Sequence, residues 1–166
     1  MVSTKNLGML NMKNLTRRAA FHFIPSWAVG FLLASVFHSI SILIGLVQID
    51  VVLTLHNWFS MLWQDALGLL PTYGAIIAVT LLLAFSTTHF VIDRLSFNSG
   101  NTNTRVKRLV LFMLAGGLSF LLMLLAMQPI LNVTLIAGAR SALGLVAQCV
   151  AGICAGGLYS QLSDKL

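Results

Sequence analysis

Residues 50–71 read DVVLTLHNWFSMLWQDALGLLP, and whether this run crosses a bilayer decides how the rest of the chain is threaded. It is apolar enough to pass for a crossing, yet its less apolar positions keep a helical rhythm. Asp50, Thr54, Asn57, Met61, Gln64 and Gly68 recur every three or four residues, with Val52, Leu53, Phe59, Leu62, Trp63 and Ala66 on the other side. That pattern predicts an amphipathic helix over about 51–68 lying in the interface, with Trp58 and Trp63 at headgroup depth. Gly68 and Pro71 are expected to end it before the next apolar run begins. The competing reading is a fifth crossing, its His, Asn, Gln and Asp shielded by protein.

Outward from this stretch the sequence is greasier still. The 166 residues are 58% hydrophobic and 8% charged, with a mean hydropathy of +0.92. A soluble domain of this size could not enclose so much apolar surface, so lipid is the expected solvent. A membrane helix needs about 20 apolar residues, and four segments supply them, at about 24–49, 73–92, 109–131 and 133–158. The expected fold is therefore all-α and polytopic, four transmembrane helices within residues 23–162, with a basic tail at 1–22 and a short polar tail at 163–166.

The charges set the expected orientation. Lys5, Lys13, Arg17 and Arg18 precede the first span, and Arg94, Arg105, Lys107 and Arg108 flank the loop between the second and third, against the single acid Asp93. Both regions read as cytoplasmic by the positive-inside rule, giving an N-in, C-in protein. Asp50 and Asp65 mark the first exterior segment, and Arg140 is the only base in the last hairpin. A fifth crossing would turn the basic loop outward, against the same rule. The net charge of +6 is thus read as topology and not as a nucleic-acid surface, which concentrates its bases on one exposed face. The acid-free first 20 residues resemble a transit peptide or signal-sequence start, but the apolar run that follows is too long for a signal core. A retained first helix is expected, with Pro25 in its opening turn and Trp27 as an interfacial anchor.

Small side chains mark where membrane helices can approach closely. The first span carries such a stripe at Ser26, Gly30, Ala34, His38, Ser41, Gly45 and Gln48, and the fourth at Ala137, Ser141, Gly144, Gln148, Gly152, Ala155 and Tyr159. The third is less marked, with Ala115, Gly116, Ser119 and Ala126. These stripes predict that the first and fourth spans pack together, with His38 and Gln148 turned inward and within reach of a shared hydrogen bond.

The candidate polar site is therefore His38 with Gln148 and Arg140. An ionisable group inside a membrane can mark a pathway or relay, although a neutral imidazole tied to Ser35, Ser41 or Gln148 would serve packing alone. His89 and Asp93, one turn apart beside Ser86, Thr87 and Thr88, form a second candidate pair at the cytoplasmic boundary, where a polar helix end is also ordinary. Arg140 can snorkel to the surface or pair with Asp50. Haem between His38 and His89 fails on depth, since the rise along the helices separates them by roughly 12 Å along the normal. Cys149 and Cys154 match no zinc or redox spacing and read as small buried hydrophobes. The sequence has no glutamate, and no nucleophile elbow, phosphate loop or metal cluster is evident, so no cofactor is expected. Asn132-Val133-Thr134 matches a glycosylation acceptor at the membrane surface and is read as chance.

The chain resembles the small multipass proteins of bacterial inner membranes, and no motif in it reaches a named family. The first expectation is a non-enzymatic subunit or assembly factor, with the lipid bilayer and a membrane-protein partner or second copy as its contacts. The others are a small carrier built around His38, Gln148 and Arg140, and a quinone- or lipid-binding subunit with Trp58, Phe59 and Trp63 shaping an interfacial slot.

Overall fold

In lipid every backbone N–H and C=O must find a partner within the chain, and helices satisfy this segment by segment. The computed structural model describes the backbone of residues 4–47, 55–94, 102–131 and 142–163, and the side chains of 21–42, 58–94, 104–127 and 143–163. All the described elements are helical: α1 (Thr4–Val47), α2 (Leu55–Leu69), a π-helical turn (Leu70–Gly74), α3 (Ala75–Arg94), α4 (Thr102–Leu131) and α5 (Ala142–Ser163). Among the described residues, four stretches are long and apolar enough to cross a membrane, Phe21–Ile42, Trp58–Arg94, Thr104–Met127 and Leu143–Ser163. Arg140, Ser141, Asp50, the glycosylation match and the surroundings of Gly45 lie outside the described residues.

The opening stretch behaves differently from its sequence reading. Gly68 and Pro71 do not end a separate helix, because the π-helical turn carries the chain from α2 directly into α3. Proline cannot donate to the preceding turn, and a wider turn absorbs that loss without breaking the rod. The indole Nε1 of Trp27 donates to the Gly74 carbonyl at 2.9 Å, pinning α1 to this turn. Trp27 is thereby turned into the bundle and not out to a headgroup. Pro25 likewise lies inside α1 and not in its first turn, since α1 starts at Thr4.

Gly68 has no neighbouring atom within 4 Å of a Cβ built on it, and the helix continues past it. Gly68→Ala should therefore stabilise the fold by roughly 0.5–1 kcal/mol, the helical advantage of alanine over glycine. A thermal melt in detergent checks this. A lower melting temperature would mean that glycine is needed there to cap a helix.

Neighbouring helices run antiparallel. α4 and α5 share the largest interface, with α1 and α5 next. Gly116, Gly152 and Gly156 bring the α4 and α5 backbones together so closely that a Cβ on any of them would overlap main-chain oxygen of the other helix. On the adjoining face of α5, a Cβ on Gly30 would stand 3.0 Å from the Ala155 Cβ. Ser26 caps this contact by donating its hydroxyl to the Ala155 carbonyl. The core between the helices is aromatic at one end. Phe85 stacks on Tyr159 with centroids 4.4 Å apart, and Phe112 meets both edge-on or tilted at 5.8 and 5.2 Å. Cys154 is exposed and Cys149 half-buried, so the former is not the buried hydrophobe its surroundings in sequence imply.

The contacts also fix the relative level of the helices. Phe31 lies against Gly74 and Gly30 against Leu81, so the middle of the Phe21–Ile42 stretch of α1 stands beside residues 74–81. Trp63 is then roughly 20 Å from that level along its helix.

Candidate functional site

Two polar layers lie inside the bundle, one near each end of the apolar zone. The upper one is built on α1, whose positions 34, 35, 38 and 39 share a face one turn apart and are all buried. From α5, Gln148 reaches this face with 1% of its surface exposed. Its amide Nε2 donates to the Ala34 carbonyl at 2.9 Å, and its Oε1 accepts from the Tyr73 hydroxyl at 3.1 Å. One glutamine therefore ties three helical segments: α1, the π-helical turn and α5. A buried amide left without partners in hydrocarbon would be costly, and this arrangement satisfies both of its ends.

His38 is 6% exposed and sits one turn above Ala34. The structure does not bring it into a hydrogen bond with Gln148; its Nδ1 is buried without a protein partner, as is the hydroxyl of Ser35. Beside it, Ser39 donates to the Asp65 carboxylate at 3.0 Å, and that carboxylate also acts electrostatically on His38. Asp65 thus faces α1, while Phe59, Trp63 and Leu67 on the same helix are exposed. The upper layer therefore contains a histidine, a carboxylate and two hydroxyls contributed by α1 and α2. Such a set can hold a proton or a water.

The lower layer is at the α3 C-terminus. His89 shares a hydrogen bond of 3.0 Å with the Tyr159 hydroxyl and packs edge-on against Phe112 at 5.0 Å. The expected partner Asp93 is exposed, and the hydrogen bond of His89 goes to Tyr159. The His89–Tyr159 contact joins α3 to α5 across the aromatic core, so its geometry is that of a tie between helices.

Of the packing residues named from the sequence, Gly30, Ala34, Gly144, Gly152 and Ala155 are buried. Tyr73 was not expected at the site, because it reads as the first residue of an apolar span. The available signal was chemical: a phenol hydroxyl a few residues into a membrane helix needs an acceptor, and Gln148 is the acceptor it finds. Charge alone places Asp65 in an exterior segment. Its inward direction follows from the path of α2 beside α1, which local pattern does not encode. Among the described residues no group of three or more His, Cys, Asp or Glu is placed to hold a metal ion.

Comparison with protein-family models, with curated proteins and with solved structures finds no match for this chain.

Proposed function

We propose that this multipass membrane protein is a non-enzymatic subunit or assembly factor of a larger membrane complex, oriented N-in and C-in. The observation that carries the reading is the outer face of α2. Phe59, Trp63 and Leu67 are 74%, 67% and 52% exposed along one face of α2, and with the bilayer centred on residues 74–81 this face lies roughly 15 Å or more from the middle, where hydrocarbon gives way to headgroups. Apolar surface at or beyond headgroup depth is poorly covered by either tails or water, and a partner helix covers it best. In this proposal α2 is the interfacial element, with Trp63 at the headgroups of the outer leaflet. The ties made by Gln148, Ser26 and His89 support the same reading, since they hold the bundle rigid behind that face.

Photo-crosslinking in native membranes tests it. A benzophenone side chain at Phe59 or Leu67 is expected to give one discrete adduct, to a partner protein or a second copy, while Leu143, 85% exposed on α5, gives none. Absence of adducts from α2, or equal capture at Leu143, would sink the proposal.

A second reading is favoured by the unpartnered His38 Nδ1 and Ser35 hydroxyl, which leave donor and acceptor capacity inside the membrane. It makes the protein a small carrier using His38 and Gln148, with Arg140, which lies outside the described residues, as the third candidate. His38→Ala should then abolish a proton-driven flux in liposomes that the intact protein supports. No flux from the intact protein under a proton gradient removes this reading.

A further inference from the structure

α3 and α4 part along the membrane-facing side to leave an open groove of about 670 Å³. Its walls include Thr80, Ala84 and Val91 on α3 and Leu111, Leu118 and Leu122 on α4. The hydroxyls within it are already committed. Thr80 donates to the Ile76 carbonyl at 2.8 Å, Thr87 to Leu83 at 2.7 Å, Thr88 to Ala84 at 2.8 Å and Ser119 to Gly116 at 2.8 Å. An occupant is therefore met by an apolar surface that asks for no hydrogen bonds.

The two walls end alike. On α3 the stripe Thr80, Ala84, Thr87, Val91 reaches Arg94 at the next helical step of three residues, and on α4 the stripe reaches Lys107 and Arg108 one turn before Leu111. Because the helices are antiparallel, these cations fall at the same end of the groove. Arg94 lies over the Phe90 ring at 5.2 Å and, like Lys107, is exposed. Asp93 is the one acid beside them among the described residues.

We infer that the α3–α4 groove binds an anionic phospholipid, one acyl chain in the groove and the phosphate at the rim formed by Arg94, Lys107 and Arg108. The α4 wall from Leu111 to Ala126 is roughly 22 Å long, more than the ~15 Å depth of one leaflet, so a tail entering from the rim lies wholly within it. The charge selects this occupant over other apolar ones. A neutral isoprenoid or an uncharged partner helix would fill the groove but bring no counter-charge to an end where three bases stand against one acid, whereas a phosphate lowers that excess of positive charge.

Native mass spectrometry of the purified protein, released from micelles doped with equal phosphatidylglycerol and phosphatidylcholine, tests the assignment. The wild-type protein should retain phosphatidylglycerol preferentially. Arg94→Gln and Lys107→Gln should each lower that preference about fivefold, the factor equivalent to the ~1 kcal/mol expected per cation near an anionic lipid. Ala115→Phe, which fills the groove, should reduce retention of both lipids, with circular dichroism and a melt confirming that the helices persist. If that variant does not fold, the two rim variants decide the matter alone. Equal retention of the two lipids by the wild-type protein overturns the inference. So does a preference that survives both rim substitutions, or a groove whose filling displaces a quinone or a second copy in place of phospholipid.

Discussion

Gly156→Leu is expected to separate α4 from α5 and to lower stability in detergent by more than ~3 kcal/mol, above the ~1–3 typical of an overpacked core. A Cβ at residue 156 overlaps the Phe112 carbonyl oxygen and lies 3.1 Å from the Met113 Cα. Main-chain atoms inside a helix cannot rotate away as a side chain can, so the helices must move apart as bodies. The displacement would also lift Tyr159, one turn along, off Phe85 and Phe112, with loss of its bond to His89. Gly157→Ala is the matched control. Its Cβ meets only the flexible Met113 side chain, at 3.4 Å from Cγ, and the change should stay within about 0.5 kcal/mol. Denaturant melts of both variants followed by circular dichroism provide the measurement. A wild-type melt for Gly156→Leu would mean that the α4–α5 contact is not as close as described.

The contrast between those two glycines shows how much of this molecule its sequence reveals. The four stretches long and apolar enough to cross are legible because transfer of apolar side chains to lipid is nearly additive along the chain, and Asp93, Arg94, Arg105, Lys107 and Arg108 mark where it stops. The small-residue stripe on α5 is legible too, and its members Gln148 and Ala155 are the ones that meet Ala34 and Gly30 of α1. Gly152 is on that stripe yet meets Gly116 of α4 and not α1, and Gly156 lies off it on the same side of α5, so only the rotation of α5 between its two neighbours reveals which helix each glycine faces. The passage through Pro71 was hidden for a related reason. Gly68 and Pro71 are local breakers, and the contacts that override them, Trp27 to Gly74 and Ser39 to Asp65, come from a helix many residues away. The polar site divides the same way. That His38 and Gln148 belong inside follows from their place on the small-residue faces, but which atoms they meet depends on tertiary register.

Gln148→Leu should cost ~1–2 kcal/mol, toward the upper end of measured polar interactions between membrane helices. The substitution keeps most of the volume but removes two bonds at once, and it leaves the Tyr73 hydroxyl, in a residue only 3% exposed, with no acceptor. The Ala34 carbonyl suffers less, since it remains within the hydrogen-bond ladder of α1. The orphaned phenol therefore carries much of the penalty, which makes Tyr73→Phe the informative second change. Alone, Tyr73→Phe should destabilise by roughly 1 kcal/mol, because Gln148 Oε1 loses its donor. Introduced into the Gln148→Leu background it should cost almost nothing, or restore part of the loss, because the unmatched hydroxyl is then gone. The pair of melts closes a double-mutant cycle with a coupling of about 1 kcal/mol. Additive effects would instead show that tyrosine and glutamine act independently, and that the tie across the π-helical turn contributes nothing to holding α5 against α1.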